Sequence, residues 1–374
     1  MSNKATIGFS EEQADLLEVA TTFCRDKSPV NKVRELLSDE AGYDKTVWNE
    51  IVELGWLAIA VPEELGGIGL GVAEIVPVVE QMGKSLLTGP FISTSLAAQA
   101  LVVGGTEAQQ SGLLAEICAG KIATLALSEP HGDWDLTHVE TTGTKSGDEI
   151  TLKGHKTFVE NAAAADIIIA SVLLDGKPVL VAIDKTLIPS GNFRRETIID
   201  ETRRSYQVSL EGVKVGRNAV LDPSKAAATL EHLHLAANLL LAAEMCGATQ
   251  ACIDYTVDYL QTRKQFGKYI GSYQALKHPI VDAHVAYEQA RSHLYSAAFN
   301  FSQQGEGEIA TRMAKAEACN ALSFAADRAI QFHGGFGFTF DCDAQLYRRR
   351  SFWCENQHGD AVYHRTKLAD LLLG

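Results

Sequence analysis

Near its C-terminus the chain carries NQHGDAVYHR, residues 356–365, which sets two histidines, an aspartate and an arginine close together. Such groups can do acid–base work, hold a metal, or simply cap helices. His358 and His364 are six apart, and His232 and His234 are two apart. Neither spacing puts both imidazoles on one helix face, as i,i+4 would, so no metal site is expected in this chain. Two Gly-rich stretches suggest anion chemistry instead. RKQFGKYIGSYQ (263–274) and QFHGGFG (331–337) each follow a helical pattern. Glycines there let backbone N–H groups approach a pyrophosphate, and Arg263 adds charge; the same glycines also serve as ordinary helix stops. Glu244, alone in LLLAAEMCG, fits a hydrogen-bonded buried group better than a base.

Three regimes of sequence must position these groups. Residues 1–121 read as a helical N-terminal domain: SEEQ (Ser10, Gln13) and Thr106 with Gln109 are capping boxes, and Leu16, Leu17, Ala20, Phe23 and Cys24 recur at helical spacing. Residues 122–222 switch to short β-branched runs between turns, giving a small antiparallel, β-barrel-like domain with a hairpin at Asp175 and Gly176. Residues 223–374 return to helical period, with segments at about 225–262, 272–303 and 307–331 and a shorter one near the end, a four-helix bundle. The first of these is apolar nearly all round between Leu233 and Cys252 and belongs at the centre. The class is mainly α with a small β domain.

Composition removes several partners. With 33 basic and 47 acidic residues the net charge is −14, which repels nucleic acid and anionic lipid surfaces alike. The seven cysteines show no CxxC pair or zinc spacing and read as free thiols of a reducing cytoplasm. The opening MSNKATIGFSEEQ lacks a signal-peptide arrangement, and HLAANLLLAAEMCGA is too short and too interrupted by Glu244 to span a bilayer. A cytoplasmic protein without membrane or nucleic-acid partners is expected.

The domain order, together with VPEELGGIGLG (61–71), LALSEP (125–130), GHKTFVENAAAAD (154–166) and RKQFGKYIGSYQALKH (263–278), resembles the acyl-CoA dehydrogenase family over nearly the whole chain. The resemblance implies FAD held between the β domain and the bundle. Arg263, Gln265, Phe266 and Gln274 would hold its pyrophosphate and adenine half, with Gln331, Gly334 and Gly335 approaching from a neighbouring subunit. Leu127, Ser128, Phe158, Val159 and Glu160 would lie beside the isoalloxazine ring. It also implies α,β-desaturation of an acyl-CoA thioester, with a glutamate removing the α-proton and an electron-transfer flavoprotein or equivalent accepting electrons.

The chain departs from this pattern at the base. The family places its glutamate just before a glycine near the C-terminus, or on the first long bundle helix before an arginine; the matching residues are His358 with Gly359, and Ala237 with Asn238. No residue of this chain is assigned as the base. Trp134 stands where the family commonly has a phosphate-binding serine, and Glu160 where it has a threonine. GDAVYHRTKLADLLL further resembles bacterial members acting on bulky thioesters such as sterol side-chain intermediates, which pair two unlike chains with one glutamate between them. The reading is therefore the base-lacking subunit of such a heterotetramer. The alternatives are a self-sufficient (homotetrameric) dehydrogenase with Asp360 or Glu160 as displaced base, a flavin-dependent monooxygenase of the same fold, and a structural subunit without flavin.

Overall fold

Both capping boxes form: the Ser10 hydroxyl accepts from Gln13 N at 3.1 Å while Gln13 Oε1 accepts from Ser10 N, and Thr106 and Gln109 repeat the exchange. The computed structural model describes residues 10–303 and 305–374. The first nine residues, within the stretch read for a signal sequence, lie outside the described residues. In chain order come α1 (Glu11–Lys27), α2 (Val30–Leu37), α3 (Lys45–Glu53), α4 (Val72–Lys84), α5 (Phe91–Gly104), α6 (Glu107–Gln109) and α7 (Ala115–Cys118). The strands β1 (Ala123–Ala126), β2 (Thr142–Ser146), β3 (Glu149–Lys153), β4 (His155–Glu160), β5 (Ile167–Leu174), β6 (Lys177–Asp184), β7 (Phe193–Arg195), β8 (Ser205–Ser209) and β9 (Lys214–Gly216) follow. Then come α8 (Ala226–Thr262), the arm β10 (Lys264–Gln265) and β11 (Lys268–Tyr269), α9 (Gln274–Asn300), α10 (Glu306–Phe332), α11 (Ala344–Asn356) and α12 (Ala361–Leu373). The short last helix read from the sequence is thus two helices, split by the turn that carries His358 and Gly359.

The chain folds as two compact units. One comprises the residues up to Glu35, Val72–Leu87 and Asn238–Gly374; the other comprises Leu36–Gly71 and Thr88–Ala237. In the second unit β5 is the hub: β6 runs antiparallel along its whole length, and β1 and β2 pair with its opposite edge. Asp175 and Gly176 close the β5–β6 hairpin with φ of 52° and 76°, the two left-handed residues of a type I′ turn. The pairings of β1 and β2 to β5 are parallel, whereas the sequence reading made the domain wholly antiparallel. Turn residues report only strands adjacent in sequence, so a parallel partner reached through a long connection leaves no local signal. A second sheet, β4-β8-β7, is antiparallel. Helix α5 packs on β1, and the Thr94 hydroxyl both donates to Ala123 O and accepts from Ala123 N.

In the first unit two helices touch backbone to backbone. A Cβ on Gly247 of α8 would sit 1.7 Å from Glu80 O of α4, and one on Gly83 of α4 would sit 2.1 Å from Glu244 O of α8. Only glycine permits this reciprocal approach. The α8 helix with its lead-in is long and apolar enough to cross a membrane by length and composition, yet 94% of its apolar window is buried inside the protein. That burial agrees with its all-round apolarity. The seven cysteines are free thiols.

Candidate functional site

On the β unit, β1 runs into Leu127, Ser128, Glu129 and Pro130. Glu129 is 2% exposed and accepts from Thr141 N at 2.8 Å, Glu140 N and Lys156 Nζ at 2.6 Å, so it ties both ends of the following loop to β4. Lys156 is fully buried and also donates to the Ser171 hydroxyl at 2.8 Å. Burial pulls the Lys156 ammonium down to about 8 despite the opposing Glu129 carboxylate. For Glu129, burial pushes upward, but Lys156 and the amides outweigh it and hold the carboxyl below its usual range. This pair fixes the loop before any ligand arrives.

Leu127 is buried, and Ser128 is half-buried with no side-chain hydrogen bond among the described residues, leaving its hydroxyl able to serve a ligand. The β4–β8 register shifts between Lys156 and Val159, and this bulge turns Phe158 outward. Phe158 is 44% exposed at φ 52°, a left-handed conformation unusual for an aromatic residue, and its N–H donates to Glu196. Val159 is fully buried within the unit. Glu160 lies 3.3 Å from Arg203 Nη1, which explains how a carboxylate is tolerated where the family has a neutral residue.

On the helical unit, Arg263, Gln265 and Phe266 lie on the exposed β10–β11 arm, with Phe266 90% exposed, and Gln274 opens α9. Gln331, Gly334 and Gly335 are exposed at the end of α10, and a Cβ on either glycine would meet nothing within 4 Å. That turn is anchored by buried His333, stacked between Tyr255 at 4.7 Å and Tyr259 at 4.2 Å and hydrogen-bonded to Ala329 O. The arm and the turn thus present open backbone and donors, as an anionic cofactor requires.

Ala237, at one family base position, is buried, and the next residue, Asn238, reaches the other: Asn238 Nδ2 donates to His358 O at 3.3 Å. His358 occupies the left-handed region at φ 56°, and Gly359 follows at φ 106°, where a Cβ would strike the Tyr363 ring at 2.4 Å. Fully buried Lys315 of α10 organises this turn by donating to the carbonyls of Cys354, Gln357 and Gly359 at 2.9, 3.0 and 2.9 Å. Burial, then Lys315, holds the His358 imidazole down at about 4. Its Nδ1 is buried although part of the residue stays accessible. Accepting a proton there would set a second cation beside Lys315, which disfavours the imidazolium.

The carboxylates weighed as substitutes are all engaged. Glu244 pairs with Arg350 Nη1, both buried, and receives the Cys354 thiol. Asp360 caps α12 by accepting from Tyr363 N at 2.7 Å, and Glu160 has Arg203. Sequence reasoning missed Lys156, Arg203 and Lys315. Their partners are distant in sequence; only the improbability of burying a charge unpaired could have flagged the first and last.

Residues 10–121 match the acyl-CoA dehydrogenase N-terminal domain and residues 232–365 the C-terminal domain. The chain is 32% identical to the acyl-CoA dehydrogenase IpdE2 of Mycolicibacterium smegmatis, covering 94% of each chain. It is 28% identical to the (R)-benzylsuccinyl-CoA dehydrogenase of Thauera aromatica, over 97% of this chain and 96% of that one. Among solved structures it is similar to the Tcur3481-Tcur3483 steroid ACAD, with TM-score 0.86, 26% identity and coverage of 97% and 98%. It shares its fold with the ChsE4-ChsE5 complex of Mycobacterium tuberculosis, with TM-score 0.87, 24% identity and 98% coverage of both chains.

Proposed function

The chain belongs to the acyl-CoA dehydrogenase family, and from that premise we propose that it is a subunit of an FAD-dependent dehydrogenase that leaves the proton abstraction to a partner chain carrying the glutamate. The family and its structural neighbours are FAD-dependent flavoproteins. The residues present suit that cofactor: an unengaged Ser128 hydroxyl, an outward Phe158, and open Gly334 and Gly335 backbone beside Gln331. Arg263, Gln265, Phe266 and Gln274 would serve its pyrophosphate and adenine half. When bound, FAD supplies the acceptor for the β-hydrogen of the thioester.

What supports the missing base is one observation: Ala237 and His358 occupy the two family glutamate positions, and neither carries a carboxylate. The methyl of Ala237 has no atom to take a proton, and an imidazole held near 4 beside a buried ammonium is opposed from doing so. The engagement of Glu244, Asp360 and Glu160 weighs against a displaced base. The pairing with an unlike chain draws on the likeness to the ChsE4-ChsE5 complex and to Tcur3481-Tcur3483, and a bulky or steroid-derived acyl group draws on the latter, a steroid ACAD.

The experiment is to purify the chain alone and co-expressed with homologous chains carrying a glutamate at the position matching His358, then record the visible spectrum and acyl-CoA oxidation with an artificial electron acceptor. The complex should be yellow and active. Turnover by this chain alone within tenfold of the complex would refute the proposal, since a general base contributes about a hundredfold or more.

A further inference from the structure

We infer that the loop between β1 and β2 binds a divalent transition-metal ion, zinc fitting best, through His131, Asp133 and His138. Each of these side chains offers one ligand atom, and the three atoms lie within 4.8 Å of one another. Asp133 Oδ2 and His138 Nδ1 stand 2.9 Å apart, and the His131 and His138 rings lie with centroids 4.6 Å apart, tilted by 38°. Around four-coordinate zinc, bonds of about 2.0–2.1 Å set neighbouring donors about 3.3 Å apart, so rotation of exposed side chains by little more than an ångström closes the set. Two imidazoles and a carboxylate are the donors that zinc and its neighbours take, while calcium and magnesium favour oxygen throughout.

The loop is built to keep these groups together. Its two ends are joined by buried Glu129, which receives the N–H groups of Glu140 and Thr141. With Lys156 on the same carboxylate, Glu129 is spent on the fold and is not counted as a ligand. Asp133 uses Oδ1 to accept from Asp135 N at 2.9 Å, which directs Oδ2 at His138 Nδ1, a contact that a metal between the two would replace. Glu140 Oε2 lies 3.5 Å from His131 Nδ1, where it can orient that ring or complete the coordination. The helical i,i+4 criterion passes over this cluster because a loop brings residues together by closing on itself.

The test uses the full chain, stripped with chelator and titrated calorimetrically with zinc chloride. One zinc per chain is expected, with affinity falling at least about tenfold in His131→Gln and in His138→Gln. His284→Gln, a surface histidine beside Glu288 on α9, should leave it unchanged. Cobalt(II) should give visible d–d absorption that the two loop variants lose, while unaltered thermal midpoints of the metal-free variants show that the fold is kept. Absence of binding, binding indifferent to both loop variants, or thiolate-to-cobalt charge transfer signalling cysteine ligation would overturn the assignment.

Discussion

Replacing Lys315 with Met tests whether one buried ammonium organises the turn that carries the vacant base position. Its Nζ reaches three carbonyls at 2.9–3.0 Å, and the bonds to Cys354 O and Gly359 O are fully buried. Methionine fills much of the same volume but strands these acceptors. At roughly 1.5 kcal/mol for each of the two dry carbonyls, the loss is about 3 kcal/mol. Unfolding entropy of about 2.1 cal/mol/K per residue over 374 residues converts this to a fall of about 4 °C in Tm. A second readout is independent of stability. Burial depresses both His358 and His364, and Lys315 adds to the depression. Removing the cation should therefore raise both imidazole pKa values, which carbon-detected or heteronuclear NMR titration of histidine ring signals would follow. A Tm within 1 °C of wild type together with unmoved titrations would refute the role assigned to Lys315.

Acid should destabilise the helical unit in a defined window. His358 and His364 are held at about 4 and about 3, below the ordinary 6.5, so the unfolded chain binds protons first and stability is lost as pH falls from about 6.5 towards those values. Each imidazole contributes a slope of about 1.4 kcal/mol per pH unit, measurable by urea unfolding between pH 7 and 5. Arg350→Met should cost about 3–5 kcal/mol by leaving Glu244 buried without its partner, and Arg350→Met with Glu244→Gln should recover much of it. Equal instability of the single and double variants would argue against a charge effect. Gly247→Ala, whose Cβ would meet Glu80 O at 1.7 Å, should yield insoluble or strongly destabilised protein, whereas Gly112→Ala, with nothing within 4 Å, should express and melt like wild type.

Much of the architecture is written in short-range signals. The boxes at Ser10 and Thr106, the Asp175–Gly176 turn and the apolarity of α8 each depend on residues within one or two helical turns or one hairpin, so local composition suffices to find them. The same holds for the long motifs that carry the family resemblance, and for the absence of glutamate at 237 and 358, which is a property of the letters themselves. The sequence could not decide what the remaining charges do. Glu244 finds Arg350, Glu160 finds Arg203, Lys315 finds a turn forty residues on, and Asn238 meets His358 across 120 positions. No periodicity encodes such encounters, because packing alone brings these groups together; whether a carboxylate is a poised base or half of an ion pair is set by what lies within about 4 Å of it.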